Sequence, residues 1–285
     1  MKHCHALLYF ALSVIAGCTD DYDPLLICHN ANCVEPANPA EDDSIEALRA
    51  SLALTRAGRP VIDGVEVDTF WFGAEDRCIF AHDLESDTDI EATRAAEVLN
   101  EALLARLDSG KPLTRTGAPF ALFVELKGHV GSEAELHTSA QRTAHAACAM
   151  ELATIVADAA AAREHEVEIA FTSFEPALLT AVTSSPAYPA LADAATIRLG
   201  ALQGIPAPLD GQSRPLDRFG PEVDFVDIHP QWVTESELQA YASRNWDLAY
   251  WMFSVTPETF DAIERDRPRW ITTSEATTFA RWLDR

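Results

Sequence analysis

Gly64-Val65-Glu66-Val67-Asp68-Thr69-Phe70 alternates, so a strand over these residues places Val65 and Val67 on one face and Glu66 and Asp68 on the other. After the turn Gly73-Ala74-Glu75-Asp76, the short strand from Cys78 to Ala81 reads as its hairpin partner. Upstream, Leu25-Leu26-Ile27-Cys28 is a short apolar strand ending at His29, and a Pro/Asn-rich loop follows it. Asp43-Ser44-Ile45-Glu46 then reads as a helix start, with Ile45, Leu48 and Leu52 on one face and Gly58 as the stop. Downstream, the pattern predicts strands over 120–126, 168–172, 196–202, 224–228, 248–253 and 270–272. Helices are expected between and after them, over about 89–108, 133–163, 176–183, 234–244, 257–265 and 275–283. Thr234 and Glu237 form a capping box, and Thr256-Pro257 puts proline at a first helical position.

Leaving the hairpin partner aside, strand and helix alternate eight times, which matches one (β/α)8 barrel of about 250 residues with a small extra strand. A doubly wound sheet is the competitor, but no Gly-x-Gly-x-x-Gly follows the first strand. There is no repeat of fixed period and one long irregular stretch, from Gln203 to Pro221.

The chain of 285 residues is 48% hydrophobic and 23% charged, a balance that supports a sizeable core and excludes wholesale disorder. Its 45 acidic residues exceed its 21 basic ones, for a net charge of −24. Such a surface repels phosphate backbones, so nucleic acid is not an expected partner. No run of about 20 apolar residues is present, so no membrane-spanning helix is expected in the mature protein.

The N-terminus reads as an export signal: basic Met1-Lys2-His3, an apolar stretch from Ala6 to Ile15, then Ala16-Gly17-Cys18. Ile15-Ala16-Gly17-Cys18 resembles the lipobox of bacterial lipoproteins, in which the cysteine is acylated and becomes the new N-terminus. Ordinary cleavage nearby, leaving Cys18 as a spare thiol, is the alternative. Thr19-Asp20-Asp21-Tyr22-Asp23-Pro24 supplies a short polar tether. The expected organisation is a signal peptide over 1–17, a lipidated tether over 18–24 and the barrel over 25–285. A monomer anchored to a membrane of the bacterial envelope, outside the cytoplasm, is expected. Cys4 leaves with the leader, and Cys28, Cys33, Cys78 and Cys148 permit two disulfides whose pairing the spacing leaves open. No Cys-x-x-Cys or His-x-x-x-His pattern accompanies them to suggest zinc.

A parallel barrel carries its active site where its strands end. His29 ends the first strand, Glu66 and Asp68 lie near the end of the second, and His82-Asp83 ends the hairpin strand. Glu125 and Lys127 share a face at the end of the next barrel strand, and His229 ends a later one. Three carboxylates so placed suit a hard divalent cation such as Mg²⁺ or Ca²⁺, and two histidines beside them can exchange a proton near neutrality. Together they suggest displacement at phosphorus. Taken singly, a Glu-x-Asp pair on a strand is more often a solvated face or a salt-bridge partner; the common placement of six residues from separate strands lifts them above that reading. His129, His137, His145 and His165 have no partner pattern and read as surface residues.

These motifs resemble, in order, those of the glycerophosphodiester phosphodiesterase superfamily, which includes the sphingomyelinase D enzymes. The matching segments are His29-Asn30-Ala31, Gly64-Val65-Glu66-Val67-Asp68, Ala81-His82-Asp83, Val124-Glu125-Leu126-Lys127, Thr172-Ser173-Phe174-Glu175-Pro176, Tyr250-Trp251-Met252-Phe253-Ser254 and Ile271-Thr272-Thr273. The resemblance implies a metal-dependent phosphodiesterase barrel. Glu66, Asp68 and Glu125 would hold the cation, His29 and His82 would serve as acid and base, and Lys127 would sit against a substrate oxygen. Trp251 would wall the pocket, with Asn30 and His229 also on the substrate side; a buried barrel aromatic is the plainer reading of Trp251. The expected substrate is a glycerophosphodiester or a related phospholipid head-group diester, with a lysophospholipid as the alternative.

Asn30 stands where the family's first motif has arginine, so a bidentate guanidinium contact to phosphate is lost or supplied elsewhere. The sphingomyelinase D enzymes share that departure. Two readings lie outside this class. A glycoside hydrolase could use Glu66 and Glu125, but would leave both histidines and Lys127 without roles. An inactive binding lipoprotein on the same barrel is the other, and the presence of every expected site residue argues against it.

Overall fold

In the computed structural model the described residues are 22–35, 40, 42–72, 76–82, 91–128, 138–204, 215–252 and 254–284. Eight parallel strands close on themselves: β1 (Leu25–Cys28), β2 (Gly64–Phe72), β3 (Phe120–Lys127), β4 (Val167–Ser173), β5 (Thr196–Gln203), β6 (Phe225–Ile228), β7 (Asp247–Met252) and β8 (Trp270–Thr273). Closure comes from β1 pairing with β8 on one side and with β2 on the other, where Ile27 lies against Gly64 and Cys28 against Val65. The expected (β/α)8 barrel is therefore the observed fold. Arg77–Phe80 pairs antiparallel with the end of β2 outside the barrel, as the hairpin reading anticipated.

Each strand divides its residues by parity. Val65, Val67, Leu122, Val124, Ile169 and Phe171 face outward into the layer beneath the helices. Ile27, Ala121, Phe123, Ala170, Phe225, Ala249 and Trp270 face inward and fill the barrel. The inner aromatics touch, with ring centroids 4.8 Å apart for Phe225 and Trp270 and 5.7 Å for Phe123 and Phe225. Burying each such ring contributes on the order of 2–3 kcal/mol. Gly200 makes room for this packing, since a Cβ there would stand 2.3 Å from the Phe225 ring. Beneath the rings, Glu168 accepts from the Trp270 indole at 3.0 Å and from Arg269 at 2.6 Å, so a buried acid at the strand starts is paired.

The helices are α1 (Ile45–Leu52), α2 (Ala92–Asp108), α3 (Ser139–Ala161), α4 (Pro176–Thr183), α5 (Tyr188–Ala194), α6 (Pro215–Arg218), α7 (Glu235–Ser243), α8 (Pro257–Asp266) and α9 (Ala276–Leu283). Ser44, Thr234 and Thr256 cap α1, α7 and α8 through their side chains, which is why these starts were readable. By length and composition α3 could cross a membrane, contrary to the composition reading, but half of its apolar window is buried within the fold.

Gly58 does not stop α1, which ends at Leu52. It occupies the left-handed turn (φ 81°) of a small ribbon pairing Thr55–Arg56 with Arg59–Pro60, a conformation glycine adopts without strain. The helices α5 and α6 are additional to the expectation, and α6 lies within the stretch read as irregular. His145 is a correction. It is fully buried, not a surface residue, with Nε2 3.0 Å from Thr69 Oγ1 and 3.1 Å from the Thr69 carbonyl. His165 is exposed as expected, whereas Cys18, Asp83, His129 and His137 lie outside the described residues.

The four cysteines pair as Cys28–Cys33, within the loop after β1, and Cys78–Cys148, from the outer strand to α3.

Candidate active site

Parity carries the inward stripe of each strand up to the end where the strands finish, and there the stripe becomes polar. Asp68 on β2 lies directly opposite Glu125 on β3, with Glu66 one inward step below. One ligand oxygen from each of the three lies within 4.8 Å of the others, and all three side chains are buried. Both carboxylate oxygens of Asp68 lack a hydrogen-bond donor. An all-oxygen donor set with an unsatisfied buried carboxylate fits a hard cation such as Mg²⁺ or Ca²⁺.

Lys127 reaches into this cluster, its Nζ 2.9 Å from Asp68 and 2.8 Å from Glu125. Burial alone would lower its pKa, but the facing carboxylates outweigh that and hold the ammonium above its usual range. The carboxylates move the other way. Burial, opposed by Lys127 and reinforced by Asp68, pushes Glu125 up to about 7. Burial and the neighbouring acids raise Glu66 well above the carboxylate range.

β1 delivers His29 to the same place. The chain turns there through left-handed Asn30 and Ala31 (φ 46° and 54°), an uncommon conformation for non-glycine residues, and the Cys28–Cys33 disulfide brackets the turn. The turn aims the Asn30 backbone N–H at Glu66, 3.3 Å away, while the Asn30 side chain is buried. His29 Nε2 is 3.9 Å from Glu66, and Ser274 Oγ is 3.4 Å from its Nδ1. Burial lowers its pKa to about 4, so the imidazole is neutral at physiological pH. His82 arrives by another route: Ala81 N–H donates to the Asp68 carbonyl at 3.2 Å, which ties the outer strand to β2 and sets His82 at the rim.

A cavity of about 130 Å³ is lined by His29, Glu66, His82, Glu125, Lys127 and Trp251, with Phe174, Leu202 and Asp227 completing its described wall. The Trp251 indole is held by donating to the Gln203 carbonyl at 3.1 Å. His229 is not part of this wall. Its Nδ1 accepts from Gln231 N–H at 3.3 Å, and its ring packs on Trp232 and Trp251 with centroids 4.5 and 5.2 Å away.

Comparison with solved structures returns barrels of this kind over nearly the whole chain. A protein from Galdieria sulphuraria assigned as a glycerophosphodiester phosphodiesterase superposes with a TM-score of 0.56 at 14% identity, covering 92% of this chain and 98% of its own. An Oleispira antarctica phosphodiesterase, solved with its product sn-glycerol-3-phosphate, gives 0.53 at 14% identity over 92% and 97%. The protein from Silicibacter pomeroyi assigned to the same activity gives 0.54 at 15% identity over 92% and 93%. The fold is that of the glycerophosphodiester phosphodiesterases. Comparison with protein-family models and with curated proteins yields no match.

Within this phosphodiesterase-type barrel, two buried acids were not singled out by the sequence. Asp227 on β6 faces the cavity, both its oxygens lack a hydrogen-bond donor, and burial together with Glu125 pushes its pKa up to about 8. A lone acid in the apolar run Phe225-Val226-Asp227-Ile228, on the parity of His229, was the available signal. Asp43, just before the cap of α1, accepts from Asp68 N–H at 3.2 Å and receives support from its own N–H to the Asn30 carbonyl at 2.9 Å. No local pattern marks it, because its partners are remote in sequence.

Proposed function

We propose that this protein is a divalent-cation-dependent phosphodiesterase that cleaves glycerophosphodiesters or related phospholipid head-group diesters. The observation that carries the reading is one small cavity, at the end where the strands finish, walled by two of three clustered carboxylates, two histidines and a lysine. Glu66, Asp68 and Glu125 would hold the ion, whose charge would stabilise the negative charge that gathers on the phosphoryl oxygens.

The chain's own groups do the rest. His29 and His82 share the proton work: one takes the proton from the attacking oxygen as the new P–O bond forms, and the other gives a proton to the departing oxygen as the old P–O bond breaks. Lys127, kept charged by the acids around it, is placed to meet a substrate oxygen, and Trp251 gives the pocket a flat apolar wall. Asn30 serves through its backbone N–H by orienting Glu66. The absence of arginine at that position favours a second reading, sphingomyelinase D-like attack by a hydroxyl of the substrate itself, which would yield a cyclic phosphate.

The export reading is part of the proposal: residues 1–17 are removed and Cys18 carries the lipid. Two disulfides within the barrel support a site of action outside the cytoplasm, where such bonds persist.

The test is release of sn-glycerol-3-phosphate and choline from glycerophosphocholine by protein beginning at residue 19, with and without Mg²⁺ or Ca²⁺. Activity that disappears on chelation and returns with the ion is expected. Full activity after exhaustive chelation refutes the metal-dependent reading, and a cyclic product in phosphorus NMR selects the second reading.

A further inference from the structure

The chain enters the barrel at the end opposite the cavity, and it is fastened there. Tyr22 donates through its hydroxyl to the Pro268 carbonyl at 2.7 Å, and the Arg267 guanidinium lies 5.0 Å from its ring centroid. Asp23 pairs with Arg115 at 2.7 Å, Arg115 also donates to the Pro24 carbonyl at 2.6 Å, and Leu25 N–H donates to the Arg269 carbonyl at 3.0 Å. All these partners lie just before β3 or β8, on the face where strands begin.

From Cys18 to Tyr22 the chain spans four peptide units, at most about 14 Å when fully extended. To turn the cavity toward the surface that holds Cys18, the tether must climb the outside of the barrel. The wall is as tall as its helices, and α2, with 17 residues, is about 25 Å long. The tether cannot make that climb while Tyr22 stays fastened.

Charge agrees with this geometry independently of the tether. The strand-start face carries exposed Arg56, Arg59, Lys111, Arg163, Arg244 and Arg267 at helix ends and in the connections that follow them. The cavity face carries acids in the first turns of helices, among them exposed Glu46, Glu235 and Glu258. Helix dipoles favour this division, and its consequence is that the face next to the tether is the one an anionic lipid surface attracts.

We infer that the protein stands on its membrane on the strand-start face, with the cavity opening away from the lipid, so that its substrate is a water-soluble phosphodiester and not a phospholipid of the anchoring leaflet. This rests on both the lipidated Cys18 and the phosphodiesterase readings. Each has its own readout: the mass of the N-terminal peptide reports the acyl chains, and glycerophosphocholine cleavage in solution reports the enzyme.

The experiment places full-length lipidated protein in vesicles of phosphatidylcholine and phosphatidylglycerol that also contain long-chain lysophosphatidylcholine. It is compared with a variant carrying a 20-residue Gly/Ser insertion between Asp21 and Tyr22. Soluble glycerophosphocholine should be cleaved equally by both. Lysophospholipid in the same vesicle should be cleaved only by the long-tether form, or by neither. Equal cleavage of that lipid by both forms overturns the inference. A second measurement does not depend on activity: a fluorophore at Arg163→Cys should be quenched by lipid-borne quencher much more than one at Glu258→Cys. The reverse order overturns the orientation.

Discussion

The ammonium of Lys127 stands 2.9 Å from Asp68 Oδ2, inside the carboxylate cluster and not merely beside it. In the metal-free protein this one cation neutralises a site built to hold a larger charge. Replacing Lys127 with Met should therefore destabilise the metal-free protein by about 3 kcal/mol, the usual cost of stranding buried charge. Mg²⁺ should restore more stability to the variant than to the wild type, because the ion supplies the missing charge. Calorimetry with and without Mg²⁺ checks this, and equal shifts for both proteins would show that Lys127 and the ion do not answer the same carboxylates.

The buried acids set a pH dependence. Glu125 and Asp227 have folded-state values of about 7 and about 8, above their values of about 4 in an unfolded chain. Their contribution to stability is fully present below about pH 4 and is lost as pH rises through about 7 to 8. The metal-free protein should thus lose stability from pH 5 to 8.5, while the stabilisation by saturating Mg²⁺ grows over the same range as protons leave the ligands. Melting curves at fixed ionic strength test both slopes. Asp227→Asn should flatten the metal-free curve at its alkaline end.

Substituting Glu66, Asp68 or Glu125 by Ala should abolish diester cleavage and weaken metal binding measured by calorimetric titration. Unaltered affinity in all three variants would move the ion elsewhere.

His29 and His82 reach the cavity from different strands, so their losses should be separable. Each His→Ala change should lower the rate at least about 100-fold and remove one limb of the pH profile. A substrate whose leaving group needs no proton should rescue only the variant lacking the acid. Near wild-type rates in both variants would exclude the two-histidine mechanism.

The disulfides should part in their effects. Cys78–Cys148 spans 70 residues and should contribute about 4 kcal/mol to stability through the unfolded chain. Cys28–Cys33 spans only 5 residues but brackets the turn that carries His29 and Asn30. Cys33→Ser, with Cys28→Ser to avoid a free thiol, should cut activity more than it lowers the melting temperature.

The strands, their order and the cavity-facing residues were legible in the sequence because a strand sorts its residues by parity. Once Gly64–Phe72 is a strand, Glu66 and Asp68 must share a face. The capped starts of α1, α7 and α8 were legible for the same local reason, since a cap and its recipient lie three residues apart. What the sequence could not decide depends on contacts across the barrel. Gly58 turns a ribbon instead of ending a helix because residues 55 to 60 pair with each other after α1 has stopped. His145 is buried because Thr69, 76 positions earlier, supplies its hydrogen bonds. The pairing of Cys78 with Cys148, the place of Lys127 between Asp68 and Glu125, and the exposure of Asp227 to the cavity are likewise decided by distances through space. Local chemistry determined which residues could form the site; closure of the barrel decided which of them meet, because only closure brings strands far apart in the chain within reach of one another.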